Sequence, residues 1–141
     1  MKRLNVRLVI ALITVCGILA SGTVYAKGKT TRYEVIITNL THGQIISAPL
    51  VISHNKNYRL FTAGNPATPG LAELAEDANT GPLMDHLATL TSVFDFRVAS
   101  GGIMPGSSAT VEINTKRGFQ FVSVAAMLVT TNDAFMAAKG V

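Results

Sequence analysis

The side chains in this 141-residue chain with the chemistry to move a proton or hold a metal are three histidines, His42, His54 and His86, and 8 Asp+Glu. Structural zinc draws four protein ligands, usually His, Cys or carboxylate at short spacings. His42 and His54 are separated by a proline-interrupted stretch, His86 belongs to a separate helical pattern, and the one cysteine, Cys16, lies inside an apolar run. No zinc motif results. Hydrolysis needs a nucleophile, a base and a group that orients the base. The chain has no Gly-x-Ser-x-Gly elbow and no His-Glu-x-x-His. Asp85 and His86 are adjacent, and neighbours on a helix point apart. Glu73, Glu76 and Asp77 could be imagined as a glycosidase pair, but they read more simply as the solvated acidic face of a short helix. Gly101-Gly102 and Pro105-Gly106 lack the spacing and the βαβ setting of a dinucleotide loop, which leaves them as turn residues. An enzyme is not the expected reading.

Charge argues the same way once the N-terminus is set apart. Lys2, Arg3 and Arg7 precede an uncharged run, Leu8 to Ala20, and a small-residue segment, Ser21 to Ala26, with Val24 and Ala26 in the −3 and −1 places. That order is a secretory signal peptide over residues 1–26, too short in its apolar part for a spanning helix of roughly 20 residues. Cys16 follows Ile13-Thr14-Val15, without the small residue that precedes a lipidated cysteine. Without the three leading cations, nine Lys+Arg face 8 Asp+Glu, a net of +1. Beyond Lys116-Arg117 no Lys/Arg cluster remains, so no nucleic-acid footprint is expected. Residues 27–141 make one cysteine-free domain near the small end for a self-sufficient core. It is expected to be exported, periplasmic or secreted, with no membrane span after cleavage.

Patterning places these residues on elements. Arg32 to Thr38 alternates, with Tyr33, Val35 and Ile37 on one face, as a strand does. Asn39 to Gly43 is a turn, and its Asn39-Leu40-Thr41 matches the glycosylation sequon, a match that in a bacterial chain would be accidental. Ile45 to Ser53 is extended, and Pro49 within it argues for an edge strand or a bend. Tyr58 to Phe61 reads as a short strand. Two short helical pieces follow the breaker-rich loop from Thr62 to Gly70. Leu71 to Asp77 puts Leu71, Leu74 and Ala75 on one face; Gly81-Pro82 opens the second, with Leu83, His86, Leu87 and Leu90 at helical spacing. Val93 to Val98 and Ala109 to Thr115 are strands, the latter with Ala109, Val111 and Ile113 inward. Lys116-Arg117-Gly118 is a polar hairpin tip. Phe119 to Val129 is nearly continuous apolar sequence, consistent with a strand buried on both faces or with a core-facing strand. Asn132-Asp133 before Ala134 to Ala138 reads as a helix start, with Asp133 as its cap. The fold class is mostly β: an antiparallel sandwich with a short helical insert across one end.

These stretches resemble the spondin N-terminal domain, known from F-spondin and mindin and from a group of exported bacterial proteins. The resemblance runs from Tyr33 to Thr41, through Gly43-Gln44, Pro49-Leu50, Leu60-Phe61 and Pro69 to Asp77, and ends on Ala126 to Phe135. It implies a C2-like sandwich with a calcium site at one end. Calcium takes several hard oxygen ligands, which loop carboxylates supply, and Asp133 matches one ligand of the family. The remaining family ligands belong to a later segment that this chain, ending at Val141, does not contain; the resemblance therefore implies a domain short of its last strands.

The expected function is a non-enzymatic, exported binding or adhesion-type module of the spondin N-terminal family. It is linked to calcium through Asp133, and its partner is an extracytoplasmic protein or glycan. The alternative is a small extracytoplasmic hydrolase or carbohydrate-active enzyme, which an acid or histidine of shifted pKa in a concave pocket would favour.

Overall fold

The computed structural model of the protein describes residues 28–141; the expected signal peptide over 1–26, Cys16 included, lies outside the described residues. Six strands and two helices follow in the order β1 (Thr30–Thr38), β2 (Leu50–His54), α1 (Pro69–Asp77), α2 (Gly81–Thr89), β3 (Val93–Val98), β4 (Ser108–Lys116), β5 (Phe121–Met127) and β6 (Phe135–Ala138). β1 and β4 form an antiparallel ribbon from Thr30↔Lys116 to Thr38↔Ser108. The other strands form an antiparallel sheet in the order β3-β2-β5-β6.

Period-2 alternation in the strands builds two apolar layers around the four-stranded sheet. On one side, Ile37, Val111 and Ile113 of the ribbon pack against Val51, Val124 and Ala126. On the other, Leu50, Ile52 and Ala125 pack against Leu71 and Leu74 of α1 and Leu83 and Leu87 of α2. β2 is therefore buried along its whole length, and each leucine sealed in these layers contributes about 1.5–3 kcal/mol. The helical insert covers a face of the sheet, where the sequence suggested one end. Helix α1 begins with Pro69, whose missing N–H is not needed in a first turn. Its Gly70 lets the helices touch: a Cβ there would lie 2.7 Å from Leu83 Cα.

The mostly-β reading with a helical insert holds, and four local expectations change. β2 is central, not an edge, because Pro49 sits just before the ladder, where its lost donor costs nothing and its carbonyl accepts from Ala99 N–H (2.9 Å). Residues 58–61 form no strand: Tyr58 and Leu60 are buried in the helix-side core, but their backbone joins no ladder. The turn at Lys116 to Phe119 closes with Phe119 N–H donating to the Lys116 carbonyl (2.9 Å). It closes a single antiparallel bridge, Lys116↔Phe119, and then passes the chain from the ribbon to the other sheet, so the hairpin tip is one bridge long and no ladder follows it. Finally, Phe135–Ala138 is a strand. Its alanines are compatible with either state, and the open edge of β5 decides for β, with Met127↔Phe135 and Val124↔Ala138 in register.

The two sheets are also tied by polar side chains. The Asp95 carboxylate of β3 accepts from the Asn114 backbone N–H (3.0 Å) and Nδ2 (2.9 Å) of β4, and Ser53 Oγ donates to the Asn114 carbonyl (2.7 Å). Asn39, fully buried, ties down the loops after β1. Its Nδ2 donates to the carbonyls of Gln44 (2.7 Å) and Ile103 (2.8 Å), and its Oδ1 accepts from Thr41 N–H (3.1 Å) and Oγ1 (2.7 Å). With its amide enclosed, Asn39 is no glycan acceptor in the folded chain.

Candidate functional site

Asp133 lies on the exposed tip between β5 and β6. Thr131 shapes that tip: its N–H and Oγ1 both donate to the Leu128 carbonyl (2.9 and 2.7 Å), and Ala134 N–H donates to Thr131 Oγ1 (3.2 Å). The capping task that the sequence suggested for Asp133 falls to Thr131, and it serves a turn, since no helix follows. Beside the tip, α1 ends with Ala78 in the left-handed conformation (φ 55°), its N–H turned back onto the Glu73 carbonyl. This brings Glu76 and Asp77 to the same polar cleft, about 340 Å³, lined by Glu76, Asp77, Asn132 and Asp133.

Three carboxylates from two separate segments thus share one opening. The donor chemistry is that of a hard cation, because carboxylate and amide oxygens are the ligands calcium prefers. The convergence is incomplete: among the described residues, no three His, Cys, Asp or Glu side chains gather closely enough to hold one metal ion. Bridging waters or movement of the exposed tip would have to complete a coordination shell of 6–8 oxygens. Glu73, Glu76 and Asp77 are exposed, as the acidic-face reading had it, but sequence alone did not place two of them beside Asp133.

The histidines are dispersed. His42 is exposed on the turn after β1, and His86 is exposed on α2, away from the apolar side where its spacing had placed it. His54 is buried at the end of β2, where Nε2 lies 2.8 Å from Ser123 Oγ and Nδ1 lies 2.7 Å from the Asn55 carbonyl. A carbonyl can only accept, so Nδ1 carries the hydrogen. Nε2 pairs with Ser123 Oγ, which itself accepts from Gly140 N–H (3.1 Å). This serine–histidine pair joins residues 69 positions apart and has no local signature. It is a brace holding the end of β6 to β2 and β5: Ser123 has no exposed surface, and a backbone carbonyl stands where a triad places its carboxylate.

One further group acquires a shifted proton affinity. Burial pushes the Tyr58 hydroxyl from 10.0 up to about 12, which keeps it protonated and of no use as a base near neutral pH. A protein-family model described as Spondin_N matches residues 38–140. No curated protein matches the chain.

Proposed function

The chain belongs to the spondin N-terminal domain family, and from that membership we propose that it is an exported, non-enzymatic binding module whose working end is the tip carrying Asp133. The family supports a non-catalytic module. The observation that carries the finer reading is the shared cleft of Asp133, Glu76 and Asp77. Loops at the end of a rigid sheet are where a scaffold can present a partner-binding surface. In this reading Asp133, Glu76 and Asp77 bind calcium between the β5–β6 tip and the end of α1, with bridging waters or an inward shift of the exposed tip completing the coordination. The ion would neutralise the clustered carboxylates and fix the two segments relative to each other. The partner is an extracytoplasmic protein or glycan that meets the tip in this fixed form. The hydrolase alternative gains nothing from the geometry, because Ser123 is sealed off and the Asp85–His86 pair stands exposed on α2.

Thermal melting of the purified chain with calcium and with chelator tests this. A ligand that binds only the folded state stabilises by about 2.7 kcal/mol at a hundred times its dissociation constant. The expected result is a calcium-dependent rise in Tm that Asp133→Ala abolishes and Glu76→Gln reduces. A Tm indifferent to calcium, or a rise that survives Asp133→Ala, refutes the calcium-linked reading.

A further inference from the structure

At the opposite end of the β5–β6 ladder from Asp133, a cavity of about 190 Å³ is lined by His54, Lys56, Tyr58, Arg59, Phe121, Lys139 and Gly140. Its parts come from the end of β2, the loop after it, the start of β5 and the end of β6. Three of the nine cations between residues 27 and 141 meet here, and no carboxylate lines the cavity. The ion pairs among the described residues are Arg32–Glu112 and Arg97–Asp95; Lys56, Arg59 and Lys139 take part in neither. The same cavity is lined by an aromatic platform. Phe121, 40% exposed, stacks on the buried His54 ring with centroids 6.0 Å apart and planes within 18°. Tyr58 meets the same imidazole edge-on at 4.9 Å. The brace through Ser123 and Gly140 fixes His54, so the platform is preorganised.

We propose that this cavity binds an anionic saccharide, with one sugar residue lying against Phe121 and its carboxylate or sulfate held by Lys56, Arg59 and Lys139. The proposal rests on the binding-module reading and names a ligand class for a second site. Cations that have no carboxylate partner around a small cavity call for an anion, Lys139 resting meanwhile over the Phe61 ring at 4.9 Å, and charged hydrogen bonds are the strong ones. An exposed aromatic face in the same cavity calls for a ligand that also carries a flat apolar surface, as a sugar ring does and a bare phosphate does not. The volume is below that of drug-sized sites and suits a single ring of a longer chain. A nucleic-acid strand would need cations tracking its backbone over several nucleotides, whereas these cations surround one cavity.

Calorimetry on the purified full chain tests the proposal with four probes: tetragalacturonate, a sulfated tetrasaccharide, neutral maltotetraose and inorganic phosphate. At least one acidic tetrasaccharide is expected to bind, more weakly as salt rises. Maltotetraose and phosphate should bind at least about tenfold more weakly, or not at all. The Arg59→Ala/Lys139→Ala double variant and Phe121→Ala should each weaken binding by about tenfold or more, with Arg59→Lys retaining most of it. The substituted side chains are exposed, and unchanged melting of the variants separates lost contact from lost fold. The proposal is overturned if neither acidic tetrasaccharide binds, if phosphate binds as tightly as the saccharide, or if the variants bind like the parent. A persisting calcium-dependent Tm rise without saccharide binding removes this site and leaves the module reading. Cleavage of a bound saccharide, read by chromatography, keeps the site and removes the non-enzymatic reading.

Discussion

Replacing Asn39 measures how strongly one buried amide organises the loops above the sheets. Its side chain makes four hydrogen bonds from a position with no exposed surface. Asn39→Ala deletes all four, but the bereft groups fare differently. The Ile103 carbonyl keeps Ile46 N–H (3.1 Å), the Gln44 carbonyl takes the Thr41 Oγ1 hydrogen that Asn39 releases (2.8 Å), and the exposed Thr41 N–H turns to water. Two bonds from the enclosed Nδ2 at about 1 kcal/mol each, with a small cavity term, give a loss of about 2–3 kcal/mol. For a domain of this size that is a fall in Tm of about 10 °C. Asn39→Asp is nearly isosteric, yet it replaces the donor with a carboxylate oxygen aimed at two carbonyls in a site closed to solvent. It should cost more, about 4 kcal/mol or above. Urea unfolding followed by far-ultraviolet circular dichroism gives both values, provided the slope m is unchanged. An Asn39→Asp variant as stable as Asn39→Ala, or an Asn39→Ala loss under about 1 kcal/mol, would show that the amide's hydrogen bonds do not organise this corner.

Three other substitutions read separate parts of the fold. Gly70→Ala drives a methyl group to 2.7 Å from Leu83 Cα, so the helices must separate; a loss of about 1–3 kcal/mol is expected by chemical denaturation. Asp95→Ala leaves the Asn114 backbone N–H without its acceptor and should cost about 2 kcal/mol, with Asp95→Asn milder because one oxygen can still accept. Tyr58 titrates at about 12 against 10.0 for the free side chain. The unfolded chain therefore loses this proton first, and the stability linked to it is present below pH 10 and lost as pH rises toward 12. Unfolding measured across that range should show the fall in the parent and a flatter profile in Tyr58→Phe.

What could be read in the residues was whatever recurs over short distances. The alternation of Val35 and Ile37, and of Val111 and Ile113, marked the inward faces of β1 and β4, and Leu71, Leu74 and Ala75 marked the buried side of α1. Ala134 to Ala138 shows the limit, since an Ala-rich run after Asn-Asp satisfies helix rules and only the neighbouring edge of β5 makes it a strand. The site residues show it more sharply. Asp133 could be singled out from a family resemblance, but its companions Glu76 and Asp77 come from a helix end more than fifty residues earlier. The His54–Ser123 brace and the meeting of Lys56 and Arg59 with Lys139 likewise depend on β2, β5 and β6 lying side by side, which no local spacing encodes.

The pairing of β1 with β4 has a consequence for when the domain becomes whole. Thr38 and Ser108, at the near end of that ribbon, are 70 positions apart, and closing a loop of that length costs about 4 kcal/mol of chain entropy before any pairing returns it. The ribbon cannot grow as a hairpin. At a synthesis rate of about 5–20 residues per second, β1 waits on the order of 4–15 s for β4 to be made. During that interval its ladder groups are unpaired on both sides, beside Tyr33 and Ile36, which stay exposed even in the finished fold. The first strand made cannot be seated until the fourth exists, and it is the strand that nascent-chain binding factors have the longest opportunity to engage.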